Sequence, residues 1–414
     1  MLVFNKMFFL NKKIVFLIFN VSLYLLINFL LINFIIYNYW MEGIIFYNFN
    51  FLNFFYGSFD GLSLLLLWLI SLIFCLSFIV IWYDLYFNFY SFYLSILFVF
   101  LVFLFSTTNL LIFYIFFEAV LIPMFLIIGF LGSRFRKITA AYRFFLYTFL
   151  GSIFFVLMLF IFLFNYGTLD FFRLVNLVSF SLEFNRLFWL LSFFTFAVKM
   201  PIFPFHTWLP EAHSEAPTVG SIILASLLLK MGPYGLIKFV NFLFVEGLFF
   251  FRPLIYMLCL VSFYYTSITA IRQLDIKRII AYSSIGHMAL VLLGILMYNM
   301  EGYFGAIILL ISHGFVSAGL FLVIGFIYER YKTRNLLYFG GLLQLNPKIG
   351  FIIFFFLIAN MGYPLSLNYI SEVYILIATF NLNIYIVVLT LFSTIFVYIF
   401  NLFFMQRLFF FFFF

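Results

Sequence analysis

The sequence predicts an all-α polytopic membrane protein of about twelve transmembrane helices, built as two inverted repeats of about five helices, each containing one broken helix. Three observations lead there. The 414 residues are 68% hydrophobic and 26% aromatic but only 8% charged, far from the roughly one quarter charged of soluble domains, so most of the surface faces lipid. Apolar windows recur along the whole chain, and about twenty such residues cross a hydrocarbon core of about 30 Å. Those windows lack period-2 alternation, which selects helices over a closed barrel.

Taken in order, the windows lie at about residues 14–38, 59–82, 89–106, 109–131, 138–164, 187–208, 217–240, 250–271, 277–298, 302–327, 349–380 and 384–406. The first, Ile14 to Tyr37, is longer than a signal-peptide core and lacks a small-residue cleavage site, so it reads as a retained helix. We set residues 1–88 as peripheral N-terminal helices, 89–240 as the first repeat and 250–406 as the second. An odd number of spans per repeat inverts the second relative to the first.

Topology accounts for the net charge of +8. One set of span ends carries Lys6, Lys12, Lys13, Arg134, Arg136, Lys137, Arg272, Lys277, Arg278, Arg330, Lys332, Arg334, Lys348 and Arg407, and the other only Arg173, Arg186, Lys238 and Arg252. That asymmetry places both termini on the inside. Nucleic acid is not implied, because no basic run exceeds Arg134, Arg136 and Lys137 and a phosphate-binding face needs a clustered stripe. Cys75 and Cys259 sit in apolar runs outside any CxxC pair and read as small hydrophobes. The 74 phenylalanines, with abundant Ile, Leu, Asn and Tyr, are what a T-rich and A-rich coding strand would produce, which suggests mitochondrial encoding.

Two spans are interrupted. Lys199-Met-Pro201-Ile-Phe-Pro204 and Asn360-Met-Gly362-Tyr-Pro364 each place proline inside an apolar helix, where it removes a backbone donor and clashes with the preceding turn. Paired broken helices in two halves point to a transporter-like site at the membrane midplane.

Charge inside the membrane costs about 2.5–3.5 kcal/mol per residue on insertion scales, so intramembrane ionisable groups are candidate site residues. Glu118 lies within LIFYIFFEAVLIPMF, Lys199 just before the first break, and Lys230 in ASLLLKMGPYG. Desolvation favours a neutral amine and a nearby carboxylate favours the ammonium, so a change at Glu118 can load or release a lysine proton. His287, in YSSIGHMALV, and His313, in LLISHGFVSAG, have imidazoles suited to relay work. Glu372 follows the second break and suits terminal proton exchange. Each also has a structural reading: a buried pair, an ammonium snorkelling to the interface, or a hydrogen-bonded packing imidazole. No GxGxxG, Walker loop or metal-spaced cluster competes, and the His206 to His213 stretch is too proline-broken for a helical zinc motif.

The run FAVKMPIFPFHTWLPEAHSEAPTVGSIILASLLLKMGPYG, residues 196–235, resembles the subunit 4 family of mitochondrial NADH:ubiquinone oxidoreductase, respiratory complex I. The segments FFEAVLIPMFLIIGFLGSRFRKITAAYRFFLYTFLGS, AYSSIGHMAL, ISHGFVSAGLF and ANMGYPLSLNYISE resemble it as well. Glu rather than Lys at position 372 is similar to this family and unlike its relatives, subunits 2 and 5 and the sodium/proton antiporters.

The resemblance implies a proton-pumping module in a membrane arm, coupled to quinone reduction elsewhere. Glu118 would be the acidic partner, Lys199 the central lysine, Lys230 the connecting lysine, His313 a relay group and Glu372 the exit residue. His287 matches a family histidine, and His206 is a secondary match beside the break. No cofactor is implied in this chain; FMN, iron-sulfur clusters and ubiquinone belong to other subunits. Implied partners are the neighbouring subunits 2 and 5 and lipids, cardiolipin among them, in the mitochondrial inner membrane with the termini in the matrix. Family members carry a further helix at each end that this reading lacks. The closing phenylalanines, Phe409 to Phe414, suggest no function. Two other classes remain open: a cation/proton exchanger and a non-pumping spacer in the arm.

Overall fold

The computed structural model describes residues 47–51, 55–177, 181–382 and 384–409. The expected span near 14–38, the residues Lys6, Lys12 and Lys13, and Phe410 to Phe414 lie outside them. The fold is helical, as expected for a chain whose apolar windows must satisfy their backbone internally. Among the described residues, nine helices are long and apolar enough to cross a membrane. The described residues divide into two compact units, those from 47 to 127 with 169–172, and those of 128–168 with 173–409.

In the first unit an antiparallel hairpin pairs β1 (Tyr47–Phe51) with β2 (Phe55–Phe59), an addition to the expected helices. Asp60 then opens α1 (Gly61–Val80), its N–H donating to Ser63 Oγ at 2.7 Å, which satisfies an otherwise orphaned helix-start donor. Helix α1 packs on α2 (Phe87–Ser106), where Phe74 meets Phe98 edge-on at 5.3 Å. Asn109 caps α3 (Leu110–Leu131, whose last four residues belong to the second unit), its side chain accepting from Leu111 N–H at 2.9 Å. A turn at Val120 interrupts α3. Pro123 explains it, since it lacks the N–H that the Ala119 carbonyl would accept; Glu118 sits on that loosened turn.

In the second unit the helices are α4 (Lys137–Tyr166), α5 (Phe171–Leu177, whose first two residues belong to the first unit), α6 (Leu182–Lys199), α7 (Trp208–Glu215), α8 (Thr218–Leu243), α9 (Val245–Arg272), α10 (Ile276–Leu296), α11 (Met300–Tyr331), α12 (Pro347–Met361), α13 (Leu367–Phe380) and α14 (Ile384–Phe409). Burial separates centre from periphery. The apolar windows of α8 and α10 are 100% and 94% buried, whereas those of α4 and α14 are 39% and 28% buried and turn Phe164, Phe392 and Ile395 outward. Peripheral apolar faces suit lipid, and central helices can carry polar side chains only where protein surrounds them.

Both windows expected to break do so. The stretch expected as one span at 187–208 is two helices, α6 and α7, joined by Met200–Thr207 with a cis Phe203–Pro204 bond. The stretch at 349–380 is α12 and α13, joined through Gly362, whose φ of +72° is the left-handed conformation glycine adopts without a Cβ penalty. Helix α8 is also irregular: a 3-10 turn at Leu228–Lys230 is followed by a π-turn at Leu236–Val240.

Candidate functional site

Helix α6 ends at Lys199 because Pro201 and Pro204 cannot continue it. The freed end is held in place by Trp208, whose Nε1 donates to the Val198 carbonyl at 3.0 Å, and by the Ile202 N–H on the Ala197 carbonyl at 3.1 Å. Lys199 is buried, so the ammonium sits at a helix C-terminus, where the macrodipole favours positive charge. His206, on the same connection, is buried between the rings of Phe203 and Tyr265.

Helix α8 meets this break directly. A Cβ at Gly232 would lie 2.6 Å from Met200 Cγ and 3.2 Å from the Phe196 carbonyl, so only glycine lets the two backbones approach this closely. Two residues earlier, Lys230 is fully buried, and its Nζ donates to the Ala225 carbonyl at 2.6 Å. That carbonyl lies just before the 3-10 turn, where the regular i to i+4 ladder stops. Lys230 Nζ also lies 3.0 Å from His313 Nδ1 on α11. No carboxylate forms an ion pair with Lys230 among the described residues.

The polar chain continues from there. The rings of His313 and His287 are 5.4 Å apart, and His287 Nε2 lies 3.2 Å from Asn360 Oδ1. Asn360 Nδ2 donates to Asn401 Oδ1 at 3.3 Å, and Asn401 Nδ2 to the Val397 carbonyl at 3.0 Å. Lys230, His313, His287, Asn360 and Asn401 thus join α8, α11, α10, α12 and α14 through fully buried groups.

Glu372 lies beyond the second break. It is buried, and a Cβ built on Gly362 would be 2.6 Å from its Oε2, so the carboxylate packs against the glycine that ends α12. Tyr398 donates to the Gly362 carbonyl at 3.0 Å. One turn before Glu372 on α13, buried Asn368 has both polar side-chain atoms without a protein partner among the described residues.

Of the residues singled out from sequence, the structure joins Lys230 to His313, sets the His287 ring beside that of His313, packs Glu372 against Gly362, which follows the His287 partner Asn360 by two residues, and brings the Lys199 break against α8. Glu118 belongs to the first unit and is half-buried. His206 joins no hydrogen bond through Nδ1 among the described residues.

The sequence reading passed over His213. It is fully buried on α7, stacks on Phe321 at 4.6 Å, and has no protein partner at either ring nitrogen among the described residues. Phe321 lies two turns from His313 on one face of α11, with Ser317 between them donating to the His313 carbonyl at 2.6 Å.

Three cations read as topology signals are also buried. Lys277 is fully buried and donates to the Ala216 carbonyl at 2.8 Å, and Lys238 is buried with its Nζ on Tyr234 Oη at 2.9 Å. Arg334, in the loop after α11, donates to the Ser214 carbonyl and to Ser133 Oγ. Burial and the charge of Arg134 hold its guanidinium below the usual value. Lys277 and Arg334 together tie down the short connection between α7 and α8. Among the described residues no cluster of three or more His, Cys, Asp or Glu side chains could hold a metal ion.

The family model for the membrane segment of NADH:quinone oxidoreductases and Mrp antiporters matches residues 107–397, a stretch that runs from before Glu118 to beyond Glu372 and leaves out Asn401. A curated relative from Chondrus crispus, NADH-ubiquinone oxidoreductase chain 4, is 47% identical over 339 residues, covering 81% of this chain and 68% of the relative. A chain of respiratory complex I from Thermus thermophilus, solved with bound NADH, superposes with a TM-score of 0.87 at 26% identity, covering 96% of this chain and 84% of that one. A chain of an archaeal membrane-bound sulfane sulfur reductase reaches 0.88 at 20% identity, covering 96% and 82%, and shares the fold alone.

Proposed function

The chain belongs to the antiporter-like NADH:quinone oxidoreductase family, in its chain 4 branch, and we propose that it is a proton-translocating membrane-arm subunit of a respiratory NADH:ubiquinone oxidoreductase. In this reading the chain performs no redox chemistry. FMN, iron-sulfur clusters and ubiquinone reside in other subunits, and the arm includes subunits 2 and 5 as neighbours in the mitochondrial inner membrane, with the termini of this chain in the matrix.

Protons move through Glu118, Lys199, Lys230, His313, His287 and Glu372, with His206 secondary and His213 added by its burial and open ring nitrogens. The observation that carries this reading is the buried contact of Lys230 Nζ with His313 Nδ1 at 3.0 Å, within the range across which protons transfer. Buried polar atoms without protein partners among the described residues, such as those of His213 and Asn368, call for water, and water there would bridge the longer gaps.

Magnitudes are compatible. Moving one proton against about 150 mV costs roughly 3.5 kcal/mol. A change of two to three pKa units at a lysine is worth about 2.7–4.1 kcal/mol, so altering the charge or distance of one acidic neighbour is sufficient.

The test is the proton-to-electron ratio of the assembled complex carrying Lys199→Ala. The relay predicts a lower ratio with the complex intact, and a non-pumping spacer predicts the wild-type ratio. The matched family also includes Mrp antiporters, which supports a second reading, a cation/proton exchanger. Transport that depends on sodium would favour the exchanger, and sodium-independent pumping tied to electron transfer favours the respiratory subunit.

A further inference from the structure

We propose that the cleft between α9 and α14 binds a membrane phospholipid, its phosphodiester on Arg252 and an acyl chain along the cleft. This inference rests on geometry outside the relay and stands independently of it. The cleft holds about 530 Å³ and is lined by apolar side chains, among them Phe249, Pro253, Leu260, Leu382 and Leu389, with Arg252 as its one ionic group. Such a volume suits a small ligand site.

The Arg252 guanidinium lies near the faces of Phe249 and Tyr256, 5.7 and 5.5 Å from their ring centres, and 3.9 Å from Met297 Sδ through Nη2. Its Nη2 donates to the Met297 carbonyl at 2.9 Å and its Nε to Tyr256 Oη. Among the described residues, Nη1 has no protein partner and no carboxylate pairs with the guanidinium. With Nη1 turned from these partners and no carboxylate beside it, the guanidinium offers a planar fork that matches phosphate oxygens.

Depth agrees with a headgroup. Arg252 lies seven residues after the start of α9 at Val245, about 10 Å along the helix, and Tyr385 lines the same cleft one residue into α14. Aromatic and arginine side chains at that level mark a membrane interface. From Arg252 to Leu260 the apolar wall runs about 12 Å further into the hydrocarbon. Pro253 shapes the wall, because it lacks the N–H that the Phe249 carbonyl would otherwise accept. A purely apolar partner helix would cover the wall and leave the cation without an anion; a phospholipid supplies both parts.

The experiment uses the assembled complex, isolated in mild detergent and loaded with a phosphatidylglycerol bearing a photoreactive acyl chain. Wild type should label peptides spanning residues 249–260 and 382–389, and excess inorganic phosphate should not compete. Arg252→Gln should reduce that labelling roughly tenfold, the scale of a lost charge-assisted hydrogen bond. Leu389→Trp, which fills the cleft and keeps the guanidinium, should reduce it as well, so the proposal does not depend on one variant assembling. Wild-type labelling in both variants would overturn the proposal. So would loss of label to free phosphate, or cross-linking of these peptides to another subunit in place of lipid.

Discussion

Lys230 and His313 meet at 3.0 Å between Nζ and Nδ1, on different helices and with neither more than 1% exposed. A buried ammonium needs hydrogen-bond acceptors, and here they are a backbone carbonyl freed by an irregular turn and an imidazole nitrogen. The carbonyl is fixed; the imidazole can take the proton and release one from its other nitrogen. A lysine held by two carboxylates would be anchored, whereas this one is held by a group that can exchange its charge.

The extension through Asn360 is testable by stability as well as by pumping. Asn360→Leu removes the partner of His287 Nε2 and of Asn401 Oδ1 together. Leaving such groups unpaired should cost about 1–3 kcal/mol each, read as earlier thermal dissociation of the membrane arm, and pumping should fall. Asn360→Asp keeps the acceptor for His287 and should retain more stability than the leucine variant.

Two glycines separate backbone strain from contact with the site. Gly362 and Gly167 have similar φ angles, +72° and +67°, but a Cβ at Gly362 meets Glu372 Oε2 at 2.6 Å and one at Gly167 meets nothing within 4 Å. Alanine at either position should cost about 1–2 kcal/mol for the left-handed backbone. Only Gly362→Ala should also lower the proton-to-electron ratio, because it displaces the carboxylate. Equal ratios in the two variants would remove Glu372 from the relay.

His213 is assigned by its surroundings, and Phe is the informative substitution. His213→Phe preserves the stack on Phe321 and the buried volume while removing both ring nitrogens. The complex should assemble at wild-type levels, and NADH-driven proton uptake into sealed vesicles should slow. Unchanged uptake would make the imidazole a packing group.

Much of this was legible in the sequence for identifiable reasons. Window length and the scarcity of charge set the helices, and proline chemistry located both breaks to within a few residues. The cost of intramembrane charge singled out Lys230, His287, His313 and Glu372. The rest was hidden by physics that sequence position does not carry. His213 sits in a short polar segment between prolines, which reads as a loop until α7 is seen buried against α10. Lys238 and Lys277 lie near expected span ends, where positive charge normally marks topology, and only packing reveals that both are enclosed. Asn360 and Asn401 are 41 residues apart, and their pairing through separate helices follows from tertiary contact alone. The hairpin of β1 and β2 lies in an aromatic stretch before the first long described helix, and no periodicity announced it.

The most direct measurement of the central claim is the proton-to-electron ratio of the assembled complex in coupled vesicles with Lys230→Met, a side chain of similar length without the ammonium. The account predicts normal assembly, retained NADH oxidation when the vesicles are uncoupled, and a ratio below wild type. A wild-type ratio in fully assembled complex would contradict it, because the proton would then be crossing this subunit without the Lys230 and His313 pair.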